Sequence, residues 1–287
     1  MPEVLRGHAP AKVNLVLEVL SRREDGYHEL DTIFQELQLA DGVELRLDGP
    51  AGIQVDGPFA AGTPADASNL AWRAALALGG RLGISIGRLG LRLTKHIPAA
   101  AGLGGGASDA AAVLRLLATA WPGTSEALLA EIAAALGSDE VFFLSGGTAR
   151  GTGRGECVAP LPALPPHDVV LFVSPLSIER KTGQMFAALD RLALDPGGIA
   201  ARFAANPPAR IRSAEVYNAF ERVAFELFPG LAALREELEA RAGEPVHLAG
   251  AGPTLFWIGP PGTGATIAEA VEGAPCMVIP TRTAGPR

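Results

Sequence analysis

Val43, Leu45 and Leu47 alternate with polar residues, and so do Leu89, Leu91 and Leu93. A period of two predicts strands with one buried face. Val13 to Leu20 is a run of valine and leucine interrupted by Asn14 and Glu18, and it reads as a further strand. Asp25-Gly26 and Asp41-Gly42 are Asp-Gly steps, which predict turns. Helical stretches follow. Ser68 opens Asn69 to Leu78, closed by Gly79-Gly80; Ser108 caps a long apolar helix from Asp109 to Ala120, stopped by Pro122-Gly123; Ser125 to Leu136 ends at Gly137.

The segment Val158 to Asp168 holds four prolines and is the best candidate linker. Beyond it the pattern predicts a buried strand at Val169–Val173 and helices at Thr182–Leu192, Ala214–Leu227 and Leu231–Arg241. Strands at Val246–Leu248 and Leu255–Ile258 flank a glycine turn, and a helix at Ala265–Val271 and a strand at Cys276–Ile279 close the chain. Helices and strands alternate in both halves, so the expected class is α+β or α/β in two domains, at 1–157 and 158–287.

Composition narrows the function. The 287 residues, 48% of them apolar, are enough for one large or two smaller cores. A formal charge of −7 argues against a broad electrostatic grip on nucleic acid. Only Cys157 and Cys276 occur, which excludes a disulfide scaffold and a multi-cysteine zinc site. No run of 18 apolar residues exists, so no membrane-spanning helix is expected, and Glu3, Arg6, Lys12 and Glu18 break up any signal-peptide core, so a cytoplasmic protein is expected. The chain has three lysines, Lys12, Lys95 and Lys181, and four asparagines, so each of these residues stands out against a background of alanine and arginine.

The chemistry concentrates in Pro98-Ala99-Ala100-Ala101-Gly102-Leu103-Gly104-Gly105-Gly106-Ala107-Ser108. Glycines let a backbone approach a ligand closely, and a helix that follows directs free N–H groups and a positive dipole end at it. Phosphate is the natural ligand for such a place, although a tight loop uses glycine for its turn alone. No Gly-Lys pair exists, so a Walker A loop is excluded. Gly102 to Ala107 also fits G-x-G-x-x-A, the dinucleotide fingerprint, but a helix follows where a Rossmann unit would place a strand.

The glycine segment resembles that of the GHMP kinases, ATP-dependent small-molecule kinases. Further stretches carry the likeness from about residue 8 to 280: Pro10-Ala11-Lys12-Val13-Asn14-Leu15, Asp25-Gly26-Tyr27-His28, Gly137-Ser138-Asp139 before Phe142-Phe143, Gly151-Thr152-Gly153-Arg154-Gly155-Glu156, and Leu248-Ala249-Gly250-Ala251-Gly252-Pro253-Thr254. PAKVNL with DGYH is similar to the branch that phosphorylates the 2-hydroxyl of 4-diphosphocytidyl-2-C-methyl-D-erythritol in non-mevalonate isoprenoid synthesis. Two departures stand out. Asp139-Glu140-Val141-Phe142-Phe143 replaces the usual Asp-Val-Pro-Phe-Phe, and Ala100 and Ala101 stand where glycines are common.

The resemblance implies a two-domain GHMP fold, with an N-terminal ATP-binding α/β domain and a C-terminal ferredoxin-like α/β sandwich. It implies ATP and a cytidine diphosphate alcohol in the cleft between the domains. Lys12 and Asn14 share one strand face; by resemblance Lys12 is catalytic and Asn14 positions the acceptor. Asp139, which as a residue type suits a helix N-cap equally well, becomes the proton acceptor. Tyr27 and Phe186, the latter assigned through Thr182 to Asp190, would sandwich cytosine, His28 would bond the base edge, and Gly250 and Gly252 would face the diphosphate. Asn69 and Lys95 join the glycine segment, Pro98 through Ser108, as nucleotide contacts. A surface lysine at Lys95 and core packing at Tyr27 and Phe186 are the plain alternatives. ATP chemistry implies Mg²⁺, with Ser108 a possible contact. His8, His96, His167 and His247 show no metal-ligand spacing, and no hydrolase elbow or zincin motif occurs. Another GHMP kinase acting on a sugar or mevalonate-type alcohol, a dinucleotide protein and a non-catalytic nucleotide binder remain the rival readings.

Overall fold

A computed structural model of the chain describes residues 4–285. The residues divide into two compact units that interleave along the sequence. Among the described residues the first comprises 4–11, 39–99 and 104–146, and the second 12–38, 100–103 and 147–285. Strands β1 (Val4–Arg22) and β2 (His28–Arg46) are each 19 residues long and contribute to both.

In the first unit, β3 (Gly52–Asp56) runs parallel to β4 (Gly90–Thr94), and β4 pairs antiparallel with the end of β2 at Val43↔Leu93 and Leu45↔Leu91. Helices α1 (Leu70–Leu82), α2 (Gly105–Ala120), α3 (Glu126–Leu136) and α4 (Asp139–Ser145) complete it. Leu45, Leu91 and Leu93 from the sheet bury against Leu78, Leu114 and Leu117 from α1 and α2. Each such burial stabilises by about 1.5–3 kcal/mol.

Three expectations change here. Asp41-Gly42 is no turn, because β2 runs through it. The Asp41 carboxylate is buried and accepts the backbone N–H groups of His96 and Ile97, the latter at 2.8 Å, so its hydrogen bonds go to the end of β4 rather than to its own backbone. Helix α1 is capped by Asn69, which accepts from Ala71 N at 2.9 Å, and continues past Gly79-Gly80 to a left-handed Gly83. Gly79 is a packing glycine, since a Cβ there would lie 2.7 Å from the Ile84 carbonyl oxygen. Helix α2 starts at Gly105 behind Gly104, so Ser108 sits buried inside its first turns and is not the cap.

In the second unit, β5 (Thr148–Gly153) pairs antiparallel with β2, β6 (Cys157–Pro160) with β5, and β8 (Tyr217–Asn218) runs parallel to β1 at Val16↔Tyr217. A second, antiparallel sheet has the order β11-β7-β10-β9, from β7 (Asp168–Val173), β9 (His247–Leu248), β10 (Leu255–Gly259) and β11 (Met277–Arg282). Helices α5 (Lys181–Leu189), α6 (Ile199–Ala205), α7 (Glu221–Leu227), α8 (Leu231–Ala242) and α9 (Gly264–Ala270) accompany it. Val170, Phe172, Phe220, Leu238, Leu248 and Leu255 form its core.

The proline-rich Val158–Asp168 segment joins β6 to β7 within this unit, so it does not separate the two units. The helix expected over Ala214–Leu227 is broken into a 3-10 turn at Ser213–Glu215, then β8, then α7. Asn218 accounts for the break: its amide donates to the Leu248 and Gly250 carbonyls, both at 2.8 Å, and its oxygen accepts from Phe220 N at 3.0 Å. Among the described residues, no helix is long and apolar enough to cross a membrane.

Candidate active site

In the first unit the glycine segment ends at the N-terminus of α2. Gly104 takes φ 75° there, in the left-handed region, and no side chain caps the helix. The first-turn N–H groups of a 16-residue helix therefore lack an internal side-chain acceptor. Gly105 is a packing position, because a Cβ would meet Ile97 at 3.1 Å, whereas Gly106 has room. The oxygens Ser108 Oγ and Asp109 Oδ1 are buried and have no hydrogen-bond partner.

Lys95 is buried, so it is no solvated surface lysine; its ammonium donates to Asp109 at 2.5 Å and to Asp41. Burial pushes the Asp109 carboxyl up to about 7, against the opposing charge of Lys95. Asn69 is held by its cap and by the Pro64 carbonyl at 2.8 Å. The fold thus holds both residues in internal hydrogen bonds.

Asp139 is the first residue of α4, and Ser138 occupies the cap position. A carboxylate in a first helical turn is favoured by the helix dipole. Beside it Glu140 is 3% exposed, in the place of the family's usual valine. Burial, chiefly, pushes its carboxyl up to about 7; the charge of Asp139 pushes the same way, and Glu140's own N–H and Arg73 oppose. Glycine at 137 makes room, since a Cβ there would strike the Glu140 carboxyl.

In the second unit, Lys12 and Asn14 are buried on one face of β1, as the two-residue spacing requires. The Lys12 ammonium donates to Asn14 Oδ1 at 2.8 Å and lies 5.5 Å from the centre of the Phe34 ring. Asn14 Nδ2 donates to Thr32 Oγ1 at 2.7 Å, and that hydroxyl donates to the Val16 carbonyl at 2.6 Å. The chain fixes which end of the amide faces the lysine. The turn at Ala249–Gly252 abuts this group: a Cβ on Gly250 would lie 3.3 Å from Lys12 Nζ and 2.9 Å from the Gly102 carbonyl. Gly102, at φ 86°, has no room for a side chain either, because a Cβ would collide with the Ala249 carbonyl. Leu103 is tied in by Lys12 N–H, which donates to its carbonyl at 2.9 Å. Ala100, one of the two departures from glycine, takes φ 53°, a left-handed conformation that alanine disfavours.

Tyr27 and Phe186, expected on either side of cytosine, each have another partner here. Phe186 stacks on His28, with centroids 4.4 Å apart and planes 11° from parallel, and packs edge-on against Phe220. His28 Nε2 is 2.7 Å from an Asp190 oxygen. Tyr27 is 55% exposed, with the Arg154 guanidinium 4.8 Å from its ring centre.

Known proteins are similar to this chain in sequence and fold. The family described as GHMP kinases N terminal domain matches residues 69–147. A protein of Shouchella clausii (strain KSM-K16) named 4-diphosphocytidyl-2-C-methyl-D-erythritol kinase is 38% identical over 267 residues, 87% of this chain and 84% of its own. One of the same name from Geobacillus thermodenitrificans (strain NG80-2) is 40% identical over 86% of each chain. The chain belongs to the 4-diphosphocytidyl-2-C-methyl-D-erythritol kinase family. A solved structure of 4-(cytidine 5'-diphospho)-2C-methyl-D-erythritol kinase is similar throughout, with a TM-score of 0.78 and 35% identity over 98% of this chain and 100% of that one.

As a member of this kinase family the chain has the GHMP fold in its α+β form. Four residues around its candidate site escaped the sequence reading: Thr32 and Asn218, which orient Asn14 and the glycine turn, Asp190, which holds His28, and Lys181, whose ammonium donates to the Gly252 carbonyl. Scarcity of lysine and asparagine was the available signal for two of them.

Proposed function

We propose that the protein transfers the γ-phosphoryl group of ATP to the 2-hydroxyl of 4-diphosphocytidyl-2-C-methyl-D-erythritol in the cytoplasm, a step of non-mevalonate isopentenyl diphosphate synthesis. The observation that carries this reading is the buried Lys12–Asn14–Thr32 chain set against the glycine turn, in a chain whose relatives at about 40% identity bear that kinase's name.

The chemistry follows from the residues. The uncapped N-terminus of α2, with Gly104 in the left-handed region and Gly106 free of close contacts, suits the triphosphate. Ala99 to Leu103 complete the loop, and Asn69 and Lys95 support it from within. Asp139 accepts the proton of the 2-hydroxyl as that oxygen bonds to the γ-phosphorus and the bond to the β,γ-bridging oxygen breaks, releasing ADP. Lys12 places a cation where charge gathers on the phosphoryl oxygens. Asn14 holds the acceptor, Gly250 and Gly252 admit the diphosphate, and Tyr27, His28 and Phe186 receive the cytosine. Ser108 Oγ and Asp109 Oδ1 are the unpartnered oxygens available to Mg²⁺, which neutralises phosphate charge when bound. Among the described residues no group of three or more acidic, histidine or cysteine side chains could hold a metal ion.

A coupled ADP-release assay over several alcohols tests the reading. ADP should appear with the cytidine diphosphate alcohol and not with mevalonate, homoserine or galactose. Turnover of one of those in place of the cytidine compound would replace this reading by a rival kinase.

A further inference from the structure

Lys181 belongs to no motif in the sequence, and the phosphoryl-transfer chemistry described above does not use it. It is one of three lysines in the chain. Its ammonium donates to the Gly252 carbonyl, while Lys12 approaches the same turn at Gly250. Two lysines, distant in sequence, thus converge on one four-residue glycine turn. Asn218 already satisfies the Gly250 carbonyl, and Lys181 is the first residue of α5, where the helix dipole disfavours positive charge. Gly250 and Gly252 add no side chain that would crowd an anion, and both take positive φ, at 53° and 66°.

We propose that Lys181 is a substrate-binding residue that contacts the diphosphate of the cytidine diphosphate alcohol, exchanging its bond to the Gly252 carbonyl for one to a phosphate oxygen. The proposal deepens the kinase reading and rests on it. A lysine ammonium is a compact point charge on a flexible stem, so it reaches a phosphate without a fixed fork geometry. Lys12 then serves the transferring phosphoryl group, and Lys181 serves the diphosphate, which stays intact.

Calorimetric titration with CDP and with cytidine separates the charges from the base. Lys181→Gln keeps a donor for Gly252 and removes the charge. We expect CDP to bind this variant roughly 10- to 100-fold more weakly than wild type, the scale of a lost charged hydrogen bond, with cytidine binding unchanged. Lys181→Arg should recover most of the CDP affinity, and the KM for ATP should stay at the wild-type value in both variants. Equal CDP affinity in wild type and Lys181→Gln overturns the assignment of Lys181 alone. Parallel loss of CDP and cytidine binding also overturns it, by making Lys181 a support of the turn. Wild-type protein that binds neither compound overturns the cytidine diphosphate reading, and this inference with it.

Discussion

At the residue scale, buried polar side chains carry the account. Lys12, Asn14 and Thr32 are each at most 4% exposed, and each satisfies the next. Asp139→Asn keeps the size of the side chain and removes its proton-accepting ability, so kcat should fall roughly 10²–10⁴-fold with substrate KM nearly unchanged; steady-state kinetics decide, and wild-type turnover would remove the base from Asp139. Glu140 makes a separate statement about pH. Its folded carboxyl titrates at about 7, above the ordinary value near 4.3 of an unfolded glutamate. Its favourable contribution is therefore complete below about pH 4.3 and is lost as pH rises through about 7. Glu140→Gln should stabilise the protein at pH 8 relative to pH 5, by at most about 3 kcal/mol. Urea unfolding at the two pH values measures this, and an equal effect at both would contradict it. Lys12 and Asn14 were legible because a two-residue spacing on an apolar strand puts both on one face. Lys95 was legible as a scarce lysine and, by resemblance, as a nucleotide contact, but its buried ion pair was not, since its partner Asp41 lies 54 positions away, in what looked like a turn.

At the element scale, glycine both marked the site and misled about boundaries. Gly104 sits at φ 75°, where a β-branched side chain is strained and blocks the backbone. Gly104→Val should weaken ATP binding, and calorimetry on the folded variant checks it; unchanged affinity would move the triphosphate away from α2. Ala100 lies at φ 53°, where alanine pays about 1–2 kcal/mol for the left-handed conformation. Ala100→Gly relieves this at some cost in unfolded-state entropy, so the net gain should be at most about 1 kcal/mol in chemical denaturation. A loss of stability would show that the strain is not there. Gly79 was read as a helix stop, but it is where α1 passes close to Ile84. Strand β5 was not predicted from the pattern, in which Gly151 and Gly153 interrupt any apolar period; Gly151 lets the Phe34 ring approach to 2.6 Å of where its Cβ would be. A one-letter pattern does not distinguish a glycine that bends the chain from one that makes space.

At the scale of the whole molecule, the mixture of periods showed a two-domain protein of mixed helices and strands, and motifs spread over most of the chain showed the family and with it the α+β form. The unit boundaries were not. A proline-rich stretch suggested a single cut, whereas each unit is assembled from three separate pieces of sequence. Pairings such as β1 with β8, some 200 residues apart, are set by tertiary packing and leave no local signature. The central claim is a phosphoryl transfer to one hydroxyl of one alcohol, and ³¹P NMR of the reaction mixture tests it most directly. With ATP, Mg²⁺ and 4-diphosphocytidyl-2-C-methyl-D-erythritol, a phosphomonoester resonance coupled to carbon 2 of the erythritol should grow in step with ADP while the cytidine diphosphate signals persist. ADP formed without that monoester, or a monoester at another carbon, would contradict the account.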